Sequence, residues 1–183
     1  MMQFPKRYAD FVARLRVPSG FLIVLVFAWW SRPATWSIAW GVPVSVAGLL
    51  LRGWAAGCLD KNRQLATGGP YAYTRNPLYL GTLLAAAGIS AAARSPWLAL
   101  LFASVFVLIY LPVIQLEEQH LRHLFPEYAS YAARVGPLWP RLTPAAGLAA
   151  SRFRFRLYLQ NQEYQAFAGF ALGLVYLIWR LPR

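Results

Sequence analysis

Long apolar stretches alternate with shorter basic segments along most of this chain. Four of them, at residues 19–30 (or to 36), 36–51, 77–93 and 96–116, approach the roughly 20 residues that a helix needs to cross a bilayer. A fifth, at 164–179, is shorter and either spans the membrane or dips into it and returns. The pattern predicts an all-α fold, a polytopic transmembrane helix bundle of four to five spans.

Local signals mark several helix ends. Asn76–Pro77 and Ser95–Pro96 each place an N-cap residue before a proline at the first helical position. Pro112 is expected to kink the fourth span near its end. Residues 1–18 carry basic and apolar side chains at near-helical spacing, which favours an amphipathic segment on the membrane surface. Short cytoplasmic helices are expected within 117–163.

Composition agrees with a membrane protein. Hydrophobic residues make up 58% of the chain and charged residues only 13%, against roughly 25% charged in an average soluble domain. The 183 residues fit one membrane domain over 1–183. The net charge of +12 lies between apolar spans, where it suits anionic membrane lipids better than nucleic acid.

The distribution of basic residues predicts an orientation. The N-terminal segment carries four Lys and Arg residues, the connection after the second span four, and the region after the fourth span six, against one in each short connection. The positive-inside rule then places the N-terminus and the long basic regions in the cytoplasm of a bacterial inner membrane. Arg180 and Arg183 do not follow this rule if the last stretch spans.

Charged and apolar side chains alternate over Arg152–Tyr158. In an extended segment, this period of two puts three arginines on one face and Phe153, Phe155 and Leu157 on the other. We expect this segment to hold the cytoplasmic face to anionic lipids and to contribute no catalytic group.

The segment 67–81 combines features of a ligand site at the start of a membrane helix. Gly68 and Gly69 permit close approach of a ligand or of another backbone. Arg75 lies beside a helix N-terminus, whose unpaired N–H groups favour anions. Aromatic faces lie nearby, at Tyr71, Tyr73 and Tyr79. The set suits a small cationic ligand that also carries a carboxylate; the alternative is an ordinary loop with interfacial tyrosines.

Two adjacent acids, Glu117 and Glu118, follow at the end of the fourth span. Acids at a membrane boundary are costly unless they are solvated or paired, so they indicate either a site or a solvated helix end. Glu117, His120 and His123 have spacings that could share a metal. The chain holds only two histidines, and we expect no metal site.

The order and spacing of these blocks resemble the isoprenylcysteine carboxyl methyltransferase and phospholipid methyltransferase group of membrane enzymes. The resemblance covers about residues 45–144. It rests on Gly-Pro-Tyr at 69–71 with Arg-Asn-Pro-Leu-Tyr-Leu-Gly at 75–81, on Glu-Glu at 117–118, and on a third block from Phe125 to Arg141. It implies a methyltransferase that uses S-adenosylmethionine on a lipid or another membrane-partitioned small acceptor, without the glycine fingerprint of soluble dinucleotide-binding folds.

The resemblance also implies site residues. Those expected to bind S-adenosylmethionine are Gly69, Pro70, Tyr71, Arg75, Asn76, Pro77, Tyr79 and Glu118. Those expected in catalysis are Glu117, Glu118 and Arg141, with Arg141 and also Tyr131 the weaker candidates. The family usually has His at the position of Asn76, which here cannot carry a proton charge. Transfer of an activated sulfonium methyl depends on positioning, with Arg75 expected to hold the cofactor's carboxylate.

Two other interpretations stay open. A membrane reductase of the sterol reductase type, which uses NADPH, has a similar proline-tyrosine block. A non-enzymatic scaffold would use Gly169-x-x-x-Gly173 for close helix packing, within the bundle or in a homodimer. For a methyltransferase, the acceptor group stays open among a phospholipid amine, a thiol and a carboxylate.

Overall fold

The computed structural model describes residues 5–147 and 151–182, and every regular element in these ranges is helical. The helices are α1 (Lys6–Trp30), α2 (Thr35–Cys58), α3 (Pro77–Ala92), α4 (Pro96–Leu124), α5 (Tyr128–Arg134), α6 (Phe155–Gln160) and α7 (Tyr164–Trp179). A single 3-10 turn, Gly69–Ala72, precedes α3 in the described part. The predicted all-α class is confirmed. Phe4 and Arg183, which belong to segments interpreted above, lie outside the described residues.

Two of the described helices, α2 and α4, are long and apolar enough to cross a membrane, with mean hydropathies of 1.3 and 2.5. The apolar helices α3 and α7 are shorter, at 16 residues each. The described residues thus contain two candidate spans by length and composition, against the four to five that the sequence pattern predicts. Helix α1 begins at Lys6, so the segment predicted to lie on the membrane surface is continuous with the first apolar stretch.

The bundle has two ends, which we call the loop end and the far end. The loop end carries the connection 59–76, and the far end carries the short connections 31–34 and 93–95. Helix α7 runs from one end to the other, since Glu163 before it pairs with Arg52 near the end of α2. At its other end, the Tyr176 hydroxyl donates to the Ala28 carbonyl of α1 at 2.6 Å. The last apolar stretch is therefore one continuous helix from the loop end to the far end.

Helices α2 and α3 pack backbone against backbone. A Cβ atom on Gly48 would lie 2.6 Å from the Gly81 carbonyl oxygen, and one on Gly41 would lie 2.4 Å from the Gly88 carbonyl oxygen. These glycines recur every seven residues, which keeps them on one side of each helix. A Cβ on Gly169 would meet no atom within 4 Å, so within this chain the close helix packing lies between α2 and α3 and not at Gly169. The homodimer through Gly169 and Gly173 stays a prediction.

Helix α4 contains one wide turn. Residues Phe106–Tyr110 form a π-helical turn directly before Leu111 and Pro112. Proline lacks an N–H and its ring crowds the carbonyl four residues earlier, so a local change of helix geometry is expected here. The predicted kink near Pro112 therefore takes the form of a π turn, and the helix continues to Leu124 rather than ending at residue 116.

The two predicted N-caps, Ser95 and Asn76, have different outcomes in the structure. Ser95 caps α4, because its hydroxyl accepts from the Leu98 N–H at 3.4 Å. Asn76 makes no capping bond to α3. Its side-chain amide donates instead to the Pro137 carbonyl at 2.9 Å, so the prediction of an Asn76 cap was wrong. A tertiary partner outside the helix competes for this amide.

The predicted extended segment over 152–158 was also wrong. Only its first part is extended, because α6 begins at Phe155. The Arg154 N–H donates to the Gly57 carbonyl at 2.8 Å, and its guanidinium lies 3.4 Å from the Asp60 carboxylate. Leu157 is buried, whereas Phe155 is 63% exposed. The alternation therefore does not sort charges and apolar groups onto two faces.

The glycine contact yields a stability prediction. Gly48→Ala should lower the free energy of unfolding by about 1–3 kcal/mol, because a methyl group there overlaps backbone atoms that cannot rotate away. Thermal unfolding in detergent, followed by tryptophan fluorescence, measures the change. Gly169→Ala is the matched control and should leave the midpoint unchanged or slightly raised. Equal midpoints for the two variants would contradict the close α2–α3 contact.

Candidate functional site

A cavity of about 270 Å³ opens at the loop end, between the connection 59–66, the start of α3, the end of α4, and α5. This is close to the lower end of the roughly 300–1,000 Å³ of typical ligand pockets. The structure brings seven of the site residues that the resemblance implies to its wall: Tyr71, Arg75, Asn76, Pro77, Tyr79, Glu117 and Tyr131. It leaves Gly69, Pro70, Glu118 and Arg141 outside the lining.

The two adjacent acids point in different directions. Consecutive residues on an α-helix are about 100° apart around its axis, so they cannot share one face. Glu118 is buried, and its carboxylate accepts from the Arg75 Nε at 3.0 Å and from Nη2 at 3.2 Å. Both side chains are only 10% exposed. Glu118 therefore joins α4 to the segment before α3.

The Arg75 guanidinium has a further partner, since its Nη1 donates to the Ala132 carbonyl of α5 at 3.0 Å. The Asn76 amide also approaches Glu118, with Nδ2 3.4 Å from Oε1. Arg75 thus joins the start of α3, the end of α4 and the C-terminal half of α5. Its positive charge is matched by Glu118, which leaves it ill suited to be the principal partner of a ligand carboxylate.

Glu117 faces the cavity. Its carboxylate accepts from the Tyr79 hydroxyl at 2.9 Å. The Tyr79 ring meets the Tyr110 ring edge-on, with 5.9 Å between the ring centroids, and Tyr110 in turn stacks on Phe106. An aromatic stack from the π turn of α4 therefore supports the side chain that holds this carboxylate.

Tyr71 presents a buried polar atom at the cavity wall. Its hydroxyl has no hydrogen-bond partner among the described residues. Burial, with a smaller effect of Glu117, raises its pKa well above the ordinary value for tyrosine, so the phenol is neutral. Buried hydroxyl groups without partners are rare and costly. A ligand group in the cavity is a suitable partner for it.

Two further tyrosines of α5 close the cavity from behind. The Tyr131 hydroxyl donates to the Tyr71 carbonyl at 2.7 Å, which fixes the 3-10 turn. Burial, with Glu118 nearby, raises the pKa of Tyr128 to about 12. Burial also raises the pKa of Tyr131 above its ordinary value. Both phenols are therefore neutral and do not act as bases. The Tyr128 hydroxyl, like that of Tyr71, has no hydrogen-bond partner among the described residues.

Arg141 acts through its backbone. Its N–H donates to the Tyr73 carbonyl at 2.9 Å, and the Ala145 N–H donates to the Ala72 carbonyl at 3.0 Å. The Arg141 side chain is exposed and donates to the Arg134 carbonyl at 2.8 Å. The segment around 136–145 therefore clamps the 72–76 backbone, and the structure does not bring the Arg141 guanidinium to the cavity.

Gly69 is explained by packing against the end of α2. Its φ of +59° lies in the left-handed region that favours glycine. A Cβ there would lie 3.0 Å from the Cys58 sulfur and 3.4 Å from the Trp54 Nε1. A close approach at this glycine is thus made by side chains of α2.

Sequence reasoning missed the loop that closes the cavity mouth. This loop contributes Leu59, Lys61, Asn62, Gln64, Leu65 and Ala66. Across the mouth, the His120 Nε2 lies 3.4 Å from the Asn62 Oδ1. Lys61 was the available signal, because it is a basic residue in the connection that leads into the predicted ligand segment 67–81. Within the described ranges, no three His, Cys, Asp or Glu side chains group as metal ligands would.

The charges and rings of the cavity define what it can bind. With Arg75 matched by Glu118, Glu117 offers a negative charge at the wall and exposed Lys61 a positive charge at the mouth. Aromatic side chains line the space between them, namely Tyr71, Tyr79, Phe125, Tyr128 and Tyr131. The arrangement suits a ligand that combines a cationic centre, a carboxylate and a flat ring.

Comparison with known proteins gives one family match. A family model described as "Phospholipid methyltransferase" matches residues 35–128. The match begins with α2 and ends at the start of α5, so it includes the Arg75 and Glu117–Glu118 blocks. Tyr131 and Arg141 of the third block lie beyond it. No solved structure matches the chain.

Two curated bacterial relatives are similar over part of their length. The cobalt-zinc-cadmium resistance protein CzcN of Cupriavidus metallidurans is 38% identical over 105 residues, which are 56% of this chain and 47% of the relative. The nickel-cobalt-cadmium resistance protein NccN of Alcaligenes xylosoxydans xylosoxydans is 34% identical over 133 residues, 69% of this chain and 62% of the relative. The chain thus spans between about half and three-fifths of these relatives.

Proposed function

Because this chain belongs to the phospholipid methyltransferase family, we propose that it is a membrane enzyme that transfers a methyl group from S-adenosylmethionine to a lipid or another membrane-partitioned small acceptor. The observation that carries this proposal is the cavity in which Glu117 faces aromatic side chains beside the buried Arg75–Glu118 pair. That cavity is built largely from the matched segment, and its opposite charges correspond to the two charged ends of a sulfonium amino acid.

The residues at the cavity fit S-adenosylmethionine. Glu117 and the tyrosine faces would neutralise and surround the sulfonium. Lys61, rather than the already paired Arg75, would meet the carboxylate, and the unpartnered Tyr71 hydroxyl would bond a polar group of the ligand. When bound, the cofactor supplies a methyl group activated by positive charge. The chain's contribution is then to hold the donor in line with the acceptor and to exclude water.

A second cavity supports an apolar acceptor. This groove of about 580 Å³ has almost entirely apolar walls, supplied by α1, α2, α3, α4 and α7. Thr82 of α3 and Arg52 of α2 lie at its polar part, where Arg52 is paired with Glu163. Leu78 lines the first cavity and Thr82 the groove, about 6 Å apart along α3. A hydrocarbon chain in the groove would bring its polar group near the proposed cofactor site.

We also propose that the loop end faces the cytoplasm of a bacterial inner membrane. The basic residues of the N-terminal segment, of 52–75 and of 122–156 favour that side. Arg180 lies at the far end because its guanidinium donates to the Ala28 and Trp29 carbonyls at the end of α1. A cation at a helix C-terminus is stabilised there, which accounts for this exception to the charge rule.

Cofactor binding is the direct test. Isothermal titration calorimetry in detergent should show binding of S-adenosylmethionine and none of NADPH. Tyr79→Phe removes only the hydroxyl that holds Glu117 and should weaken binding by about tenfold. Arg141→Ala is the control and should leave the affinity unchanged, because that side chain is away from the cavity. Binding of NADPH alone would instead favour a reductase.

Arg75→Ala should weaken S-adenosylmethionine binding strongly, because the cavity wall loses the pair that positions it. The same substitution leaves Glu118 buried without a partner, which costs about 3–5 kcal/mol of stability. The thermal unfolding of this variant must therefore be measured together with its affinity for S-adenosylmethionine. The double variant Arg75→Met with Glu118→Gln removes both charges together; if that variant is stable and binds normally, the pair has no role in the site.

Turnover should distinguish the acids. Transfer of tritiated methyl groups from S-adenosylmethionine into a bacterial lipid extract should fall by about tenfold or more in Glu117→Gln. Glu118→Gln should lower both turnover and the unfolding temperature, because it unpairs Arg75. Glu127→Gln, an exposed acid on the same face of the protein, is the control. Small and equal losses at all three positions would reduce the acid pair to a solvated helix end.

Orientation can be tested by cysteine labelling. In a variant without Cys58, single cysteines replace Gln162 at the loop end and Thr35 at the far end. An impermeant maleimide should label position 35 in intact cells and position 162 only after lysis. The reverse result, or the same accessibility at both positions, would contradict the proposed orientation.

A further inference from the structure

Three arginines meet at the far end of the bundle, remote from the cavity discussed above. Arg32 follows α1, Arg94 follows α3, and Arg180 follows α7. All three line one cavity of about 290 Å³. No acidic residue is among the described residues of its lining, so this small space carries a formal charge of +3. The cluster has no part in the proposed methyl transfer.

The backbone holds these positions in place. The Arg32 N–H donates to the Ala93 carbonyl at 2.9 Å, which joins the two short connections. Arg94 has a φ of +51°, an uncommon conformation for a residue other than glycine, and such backbone strain is often found at functional sites. The Arg180 guanidinium is held by the Trp29 carbonyl. The three charges are therefore set together by the fold and do not lie on a loose tail.

Tryptophans surround the cluster at the same level. Six of the chain's eight tryptophans end or begin helices at the far end, at positions 29, 30, 36, 40, 97 and 179. Each is between 41% and 80% exposed. Tryptophan is enriched where a membrane meets water, at the depth of the lipid headgroups. The arginine cluster thus lies at the depth where lipid phosphates are found.

Helix dipoles offer a competing explanation, because a cation after a helix C-terminus is stabilised there. That explanation suffices for Arg180, which bonds the last carbonyls of α1. It is weaker for Arg32 and Arg94, because they line the same cavity but neither side chain bonds a helix-end carbonyl among the described residues, as Arg180 does. Guanidinium groups match the oxygens of a phosphate with paired hydrogen bonds.

We propose that this cavity binds the phosphate of an anionic phospholipid in the leaflet opposite the candidate active site. The lipid's net negative charge complements the three arginines, and its acyl chains lie along the exposed apolar and tryptophan surface below them. Bound there, it bridges the ends of α1, α3 and α7 and holds α7 against the bundle. This site is independent of the methyl acceptor and of the cofactor.

Native mass spectrometry of the full chain in detergent tests the proposal, with phosphatidylglycerol and phosphatidylcholine as probes. The wild-type chain should bind phosphatidylglycerol more tightly than phosphatidylcholine. Arg32→Gln with Arg94→Gln should weaken phosphatidylglycerol binding by about thirtyfold, whereas Arg32→Lys with Arg94→Lys should retain much of it. Unchanged binding in the glutamine variant overturns the proposal. Unfolding temperatures without lipid verify that each variant is folded.

The charge-matched control is Arg7→Gln with Arg63→Gln, which removes two exposed arginines from the loop end of the bundle. Its affinity for phosphatidylglycerol should equal that of the wild type. An equal loss in both double variants would mean that total charge, and not this cavity, attracts the lipid. Inorganic phosphate is the third probe, and displacement of the lipid at equal concentrations would assign the site to free phosphate instead.

Discussion

The ion pair between Arg75 and Glu118 holds the functional half of this protein together. It is bidentate, nearly buried, and joins residues 43 positions apart. Buried pairs are costly to desolvate, and they persist where further hydrogen bonds satisfy the remaining groups. Here Asn76 and the Ala132 carbonyl provide those bonds. The start of α3, the end of α4 and helix α5 are thereby fixed relative to one another, and the cavity is the space that they enclose.

The same pair sorts the charges of the site. A neutralised Arg75 does not compete for the Glu117 carboxylate, which stays directed at the cavity through Tyr79. A single carboxylate could not both pair with Arg75 and contact a ligand in the cavity. Two neighbouring acids on one helix perform both tasks, because the helix separates their directions by about 100°. The Glu-Glu motif thus consists of one site residue, Glu117, followed by one residue that supports the fold, Glu118.

The helices and the family could be predicted from the sequence, because apolar length, proline-initiated helices and motif spacing are local signals. Ser95 behaved as its position predicted. Asn76 did not, since a carbonyl from residue 137 lies within reach and outcompetes the helix end. The alternation at 152–158 failed for a related reason, because packing against α2 and the start of α6 override it. The mouth loop and the backbone role of Arg141 depend on contacts between distant segments, which one sequence does not reveal.

The π turn in α4 holds one residue more than a regular helical turn. This affects how the sequence of α4 can gain or lose a residue in evolution. Adding or deleting a residue in a regular helix rotates everything beyond it by about 100°. The wide turn absorbs such a residue, so α4 consists of two halves with separate registers. The half before the turn can direct its apolar side chains at the lipid, while the half after it keeps Glu117 and Glu118 directed at their partners. Removing one residue between Phe106 and Tyr110 would therefore return this turn to regular α-helix and leave the acid pair aimed at Arg75 and Tyr79, whereas removing one residue between Leu111 and Glu117 would rotate the pair away from them by about 100°.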